Sequence, residues 1–186
     1  MKKIMFNDKY GLTQAVLEGR KTQTRRTFLK PGEENLLHGI TSEYLISVRS
    51  RYKVGETIAI AQSYKDIHAE ILREVGDWDL KKEFMQSKGY ANKMFVRAEK
   101  MPHAIRITNI RVERLQDISE EDCMKEGIWR DENVGLEGTT YWYHGLANSS
   151  FRTPQEAYAS LIDNISGKGT WASNPYVFVY DFVLIN

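Results

Sequence analysis

Gly19-Arg20-Lys21-Thr22-Gln23-Thr24-Arg25-Arg26-Thr27-Phe28 is the stretch on which the reading of this chain turns. It lacks the apolar spacing of an amphipathic helix and is rich in β-branched Thr, so it reads as a polar strand. Upstream, Leu12, Val16 and Leu17 fall on one helical face between Lys9 and Glu18, and Gly19 supplies the residue after the helix. Lys3 to Phe6 reads as a short strand before that. The chain therefore opens strand, short helix, polar strand, and nothing in the local sequence compensates the burial of that polar strand.

Working outward, Lys30 to Ser42 is a loop around Pro31 and Gly32, and Glu43–Val48 and Glu56–Gln62 are two apolar runs of strand length. Tyr64 to Lys93 turns polar, with weak helical spacing, and reads as an insertion carrying one or two helices. From Ala104 to Arg114 the apolar residues alternate, with a change of face near Asn109. Ser119-Glu120-Glu121-Asp122 has the pattern of a capping box, stapled by Ile118 and Cys123 and closed by Gly127. Thr153-Pro154-Gln155-Glu156 is a second capping box, opening a helix with Tyr158, Leu161, Ile162 and Ile165 on one face and Gly167 at its end. Tyr176 to Ile185 is a strand buried on at least one face. Strands interleaved with short helices at irregular spacing argue for an α+β fold with a curled mixed sheet of about six strands, in one domain over 1–186 with an insertion at 64–93.

The composition excludes several classes. With 186 residues, 26 Lys+Arg, 25 Asp+Glu and 13 Gly, this is an ordinary globular chain. One cysteine forms no intrachain disulfide, and His38, His68, His103 and His144 show no ligand spacing, so no zinc site and no cofactor is expected. No apolar run approaches a membrane span and no signal-peptide core opens the chain, which places the protein in a reducing cytoplasm without a membrane partner. Charge is unevenly spread: residues 1–30 hold eight basic and two acidic side chains, residues 114–137 three basic and eight acidic. A phosphate-bearing partner would meet the first segment.

The spacing Gly19-x-Lys21-x-x-Thr24-x-Arg26 resembles the signature of ASCH domains, small β-barrels of the PUA-like superfamily. The resemblance extends through Ile58-Ala59-Ile60, Met101 to Ile107, Leu115 to Gly127 and the Trp171-x-x-Asn174-Pro175 segment, and is nearest to the phage and prophage branch. It implies a PUA-like mixed barrel with short peripheral helices and a basic cleft that binds RNA or a modified nucleoside. Some small bacterial relatives are acetylcytidine amidohydrolases, whose catalytic Lys, Thr and Glu fall by motif position on Lys21, Thr24 and Glu126. The chemistry is coherent: a Lys beside Arg26 gives up its proton more readily and serves as base toward the Thr24 hydroxyl, while Glu126 polarises or protonates.

Three functions follow as alternatives: recognition of RNA or a nucleotide-like ligand, hydrolysis of an acylated nucleoside, and a phage-type accessory role through protein contacts. Each residue also has a plainer reading. Lys21, Arg25 and Arg26 are either phosphate contacts or a solvated strand face; Glu126 is either catalytic or an exposed helix end; Thr24 is a nucleophile or a strand filler. His103 orients loop backbone or contacts ligand, Arg106 pairs with phosphate or with Glu126, and Trp142, within Tyr141-Trp142-Tyr143-His144, stacks on bases or packs a hairpin edge on the core. Gly167-Lys168-Gly169-Thr170 is not a phosphate loop, because Ile162 stands where the first Gly belongs and a strand is expected to follow.

Overall fold

The computed structural model describes residues 1–29, 38–67, 82, 85–132, 138–145 and 150–185. Its centre is a five-stranded mixed sheet in the order β1-β3-β4-β7-β2, formed by β1 (Lys3–Ile4), β2 (Gln23–Thr27), β3 (Thr57–Ile60), β4 (Ala104–Arg114) and β7 (Tyr176–Ile185). Only the β1–β3 pair is parallel. A separate ribbon pairs β5 (Trp129–Asp131) with β6 (Thr140–Trp142). Among the described residues no ladder joins the edge strands β1 and β2; instead the Arg26 guanidinium donates to the Met5 carbonyl, just past β1, at 2.6 Å.

The expected face change in β4 is a bulge between Ile107 and Asn109. Ile105 and Ile107 are buried before it and Ile110 after it, so the extra residue keeps the apolar side chains on the core while Arg111 and Glu113 turn to the other face. Strand β7 is buried on both faces from Val177 to Tyr180, as expected of a strand with two neighbours.

Helix α1 (Leu12–Leu17) buries Leu12, Ala15 and Val16, and Gly19 at φ 72° turns the chain into β2. Glu43–Val48 is not a strand but lies in helix α2 (Ser42–Arg49). The Thr41 hydroxyl accepts the Tyr44 N–H at its start, Glu43 and Arg49 occupy the ends that suit their charges, and only Leu45 is buried. An apolar run with Tyr44 and Val48 exposed has no use for two buried faces. The Tyr64–Lys93 segment begins with one turn, α3 (Tyr64–Ile67), whose Tyr64 and Lys65 N–H groups reach Gly89 and Tyr90 carbonyls at 2.9 Å. The helical spacing expected through Ile71, Leu72, Leu80 and Phe84 lies outside the described residues.

Both N-caps form, each as the side-chain half of a capping box. Ser119 accepts the Asp122 N–H at the start of α4 (Glu120–Lys125), and Thr153 accepts the Glu156 N–H at the start of α5 (Pro154–Ser166), whose Glu156 reaches back to the Arg152 N–H. After Gly167 comes a one-turn helix, α6 (Thr170–Ser173), rather than the expected strand. The Asp163 carboxylate accepts the Gly169 and Trp171 N–H groups there, at 3.1 and 2.7 Å. An internal carboxylate thus occupies the donors that a phosphate loop would offer. No described helix is long and apolar enough to cross a membrane.

Candidate functional site

The turn after α1 brings β2 against the C-terminal end of α4. The Lys21 N–H is held by Ala15 O at 2.9 Å and the Thr22 N–H by Lys125 O at 3.0 Å. That docking carries the Lys21 side chain to the end of α4, where its ammonium donates to Glu126 O at 2.8 Å and to Glu126 Oε2 at 2.5 Å. A cation at a helix C-terminus satisfies carbonyls left unpaired by the helix and opposes its dipole. Gly127, at φ 103°, lets the chain turn immediately afterwards. Lys21 and Glu126 are only 2% and 4% exposed, which removes the plain readings of a solvated strand face and an exposed helix end.

The burial of β2 has its compensation in partners from distant strands. Because β2 pairs with β7 and β7 with β4, Gln23, Asp181 and Asn109 stand in one row, and Arg25, Val179 and Arg111 in the next. The Arg25 guanidinium donates to Glu113 Oε1 at 2.5 Å, Asp122 Oδ2 at 3.1 Å, Glu126 Oε1 at 3.2 Å and the Gln23 amide oxygen. Arg111 joins Asp122, Glu113 and Asp181. Arg25 is therefore committed to carboxylates and not free for a phosphate. Burial alone would lower its proton affinity, but Glu126, Tyr158 and Glu113 outweigh that and hold it above its ordinary value.

Lys21 moves the other way. Burial is the larger cause and lowers its pKa; the Glu126 carboxylate raises it in part, and the like charges of Arg26 and Arg25 lower it further. Like charge alone, the expected cause, is thus the lesser one. Two of the three tetrahedral positions that the Lys21 nitrogen offers beyond its own carbon face Glu126.

Lys21, Thr24, Arg25, Arg26 and Glu126 all line one cavity of about 490 Å³. It runs along the free edge of β2, so side chains from both faces of the strand reach it. Thr24 is buried, and among the described residues its hydroxyl has no hydrogen-bond partner. Opposite stand Tyr158, Leu161, Ile162 and Ile165 of α5. Arg26 is exposed and also lines a neighbouring hollow beside Arg49 and Arg51.

Three expected residues lie elsewhere. Arg106 is exposed on β4 between Thr57 and Val183, roughly 17 Å of strand from Arg111, and neither lines the cavity nor pairs with Glu126. His103 gives its carbonyl to the Ile60 N–H at 2.9 Å and lines a second cavity of about 690 Å³ with Gln62, whose Oε1 has no donor among the described residues. Trp142 sits opposite Trp129 in the β5–β6 ribbon, its indole N–H on Thr140 Oγ1 at 3.0 Å, while Tyr143 is buried in the core; this is a hairpin edge on the core. Sequence reasoning missed Arg111, Glu113, Asp122 and Asp181 in the network and Tyr158 in the cavity wall.

Among the described residues no cluster of His, Cys, Asp and Glu is arranged to hold a metal ion. Comparison with protein-family models, with curated proteins and with solved structures finds no match.

Proposed function

We propose that the chain is an ASCH-type domain, its sheet an opened form of the PUA-like barrel, and that its cavity hydrolyses the acyl amide of a nucleoside-like substrate such as acetylcytidine. The observation that carries this reading is the 2.5 Å contact between Lys21 and Glu126 in the cavity that Thr24 also lines. Convergence of residues 105 positions apart is what an enzyme needs, whereas RNA binding calls for a broad groove of unpaired cations. Here Arg25 is neutralised by three carboxylates, and a half-open hollow of about 490 Å³ suits one small molecule rather than a strand.

The burial-weakened ammonium of Lys21 loses its cavity-facing proton to solvent, leaving an amine whose two remaining N–H groups donate to the Glu126 carbonyl and carboxylate and whose lone pair faces the cavity. The Thr24 hydroxyl gives its proton to that amine as its oxygen bonds to the acyl carbon. Lys21 then protonates the departing amine nitrogen, the C–N bond breaks, and the acyl group rests on Thr24 as an ester. Water, deprotonated by Lys21, attacks the ester, and Thr24 takes the proton back. The sum is amide plus water to carboxylic acid plus amine.

Chromatography of acetylcytidine and related acylated nucleosides incubated with the protein tests the proposal. Release of the free nucleoside by the wild type and its loss in Thr24→Ala support it; absence of turnover across the panel, with RNA bound through Lys21 and Arg26, overturns it.

A further inference from the structure

The two walls of the cavity differ in kind. On the β2 side every inward charge is already matched: Lys21 by Glu126, and Arg25 by Glu113, Asp122 and Glu126. With Lys21 and Arg25 both held by carboxylates, the inner end of the cavity offers no unpaired positive charge. The opposite wall is mostly apolar, with Tyr158 and Ser166 its polar members. Leu161, Ile162 and Ile165 of α5 face inward together with Leu12, Leu115 and Val177. Leu161 is buried, but Ile165, at the last turn of α5, remains 36% exposed, and Ile162 is only partly covered. The rim carries a charge with no carboxylate partner among the described residues: the exposed Arg26, held to the Met5 carbonyl, stands beside Asn7 and Thr27.

A substrate amide has one polar side, the nucleoside, and one side whose polarity depends on the acyl chain. Burying the polar side against α5 would strip its hydrogen bonds without replacing them, whereas each methylene of an acyl chain gains by leaving water. We infer that the α5 wall is the acyl subsite and that the cavity takes uncharged amides whose acyl group is longer than acetyl, with the polar amine portion held at the rim near Arg26. The inference rests on the amidohydrolase reading and specifies its substrate class. Anionic acyl groups, such as succinyl, find no unpaired cation beside the α5 wall and are disfavoured.

The test is kcat/KM for cytidines acylated at the exocyclic nitrogen with acetyl, butyryl, hexanoyl and succinyl groups, for the wild type and for Ile162→Ala and Ile165→Ser. Both substituted positions are partly exposed, so the core is spared, and urea unfolding checks this. In the wild type kcat/KM should rise about fourfold for each added methylene until the wall is covered, with succinyl slower than butyryl. Both variants should flatten that dependence. Acetyl as the fastest substrate would overturn this inference alone and leave the amidohydrolase reading standing. A rise with chain length that neither variant changes would take the acyl group away from α5. No turnover of any of the four would overturn the underlying reading and this inference with it.

Discussion

Lys21 and Glu126 meet twice, ammonium to carboxylate at 2.5 Å and ammonium to main-chain carbonyl at 2.8 Å. The second contact fixes the first: the backbone at the end of α4 holds Lys21 in place whether it is charged or neutral, so its cavity-facing proton can leave without separating the pair. Arg25, on the other carboxylate oxygen at 3.2 Å, tethers Glu126 from behind.

Removing one member of this buried pair should cost unequal amounts. Glu126→Ala leaves Lys21 without a counter-charge and Arg25 short of one, an expected loss of about 3–5 kcal/mol. Lys21→Met leaves Glu126 still paired with Arg25 and keeps an apolar stem in place, so its loss should be clearly smaller. Urea unfolding of both variants at neutral pH measures the difference; equal losses would mean that Arg25 does not support Glu126.

The turn after Glu126 gives a second prediction. Gly127 sits at φ 103° and a Cβ there would lie 3.2 Å from Leu12 Cδ2, so Gly127→Ala meets both backbone strain and α1. Gly19, at φ 72°, has no atom within 4 Å of such a Cβ. Gly19→Ala should therefore cost only the backbone term, about 1 kcal/mol, and Gly127→Ala roughly 2–3 kcal/mol. Thermal unfolding compares them.

Both N-caps could be read directly because a cap is a local device: Ser119 or Thr153 needs only the N–H three residues on. The β4 bulge was legible for the same reason, as a break in alternation at Asn109. Glu43–Val48 was misread because its apolar run fits strand and helix equally, and the deciding signal, Thr41 as N-cap, lay outside the run. The Lys21–Glu126 pair was reachable only through the ASCH resemblance, since no local pattern relates positions 105 apart. Arg111, Glu113 and Asp181 were missed because charges on a strand look like a solvated face. A signal existed: after the bulge, β4 carries opposite charges on the face where β2 carries Gln23 and Arg25.

Acid should weaken the fold through Asp122. Burial raises its pKa, but hydrogen bonds from Gln23 and Arg25 and the charges of Arg111 and Arg25 outweigh this, and the net value lies below the ordinary 3.8. The unfolded chain then takes up the proton first, so the stability that Asp122 contributes is full above pH 3.8 and drains away as pH falls through its lower folded value. Urea midpoints followed from pH 6 to pH 2.5 should fall less steeply in Asp122→Asn than in the wild type.

Cys123 offers a probe of packing around the site. Burial first, then the nearby Glu126 and Asp122 carboxylates, push its thiol up to about 12 against the pull of Arg25. The thiolate is the reactive form, so a disulfide-exchange reagent at pH 8 should leave the native protein untouched and titrate one thiol on unfolding. Prompt reaction of the folded protein would show that α4 opens over the cavity.

The most direct measurement of the central claim is a kinetic cycle on an acylated cytidine, taking kcat/KM for the wild type, Lys21→Ala, Thr24→Ala and the double variant. If base and nucleophile act as one unit, each single substitution lowers kcat/KM by about a thousandfold or more, and the double variant is hardly worse than either. Losses that multiply in the double variant, or turnover that survives Thr24→Ala, would contradict the assignment of Lys21 and Thr24 to one catalytic site.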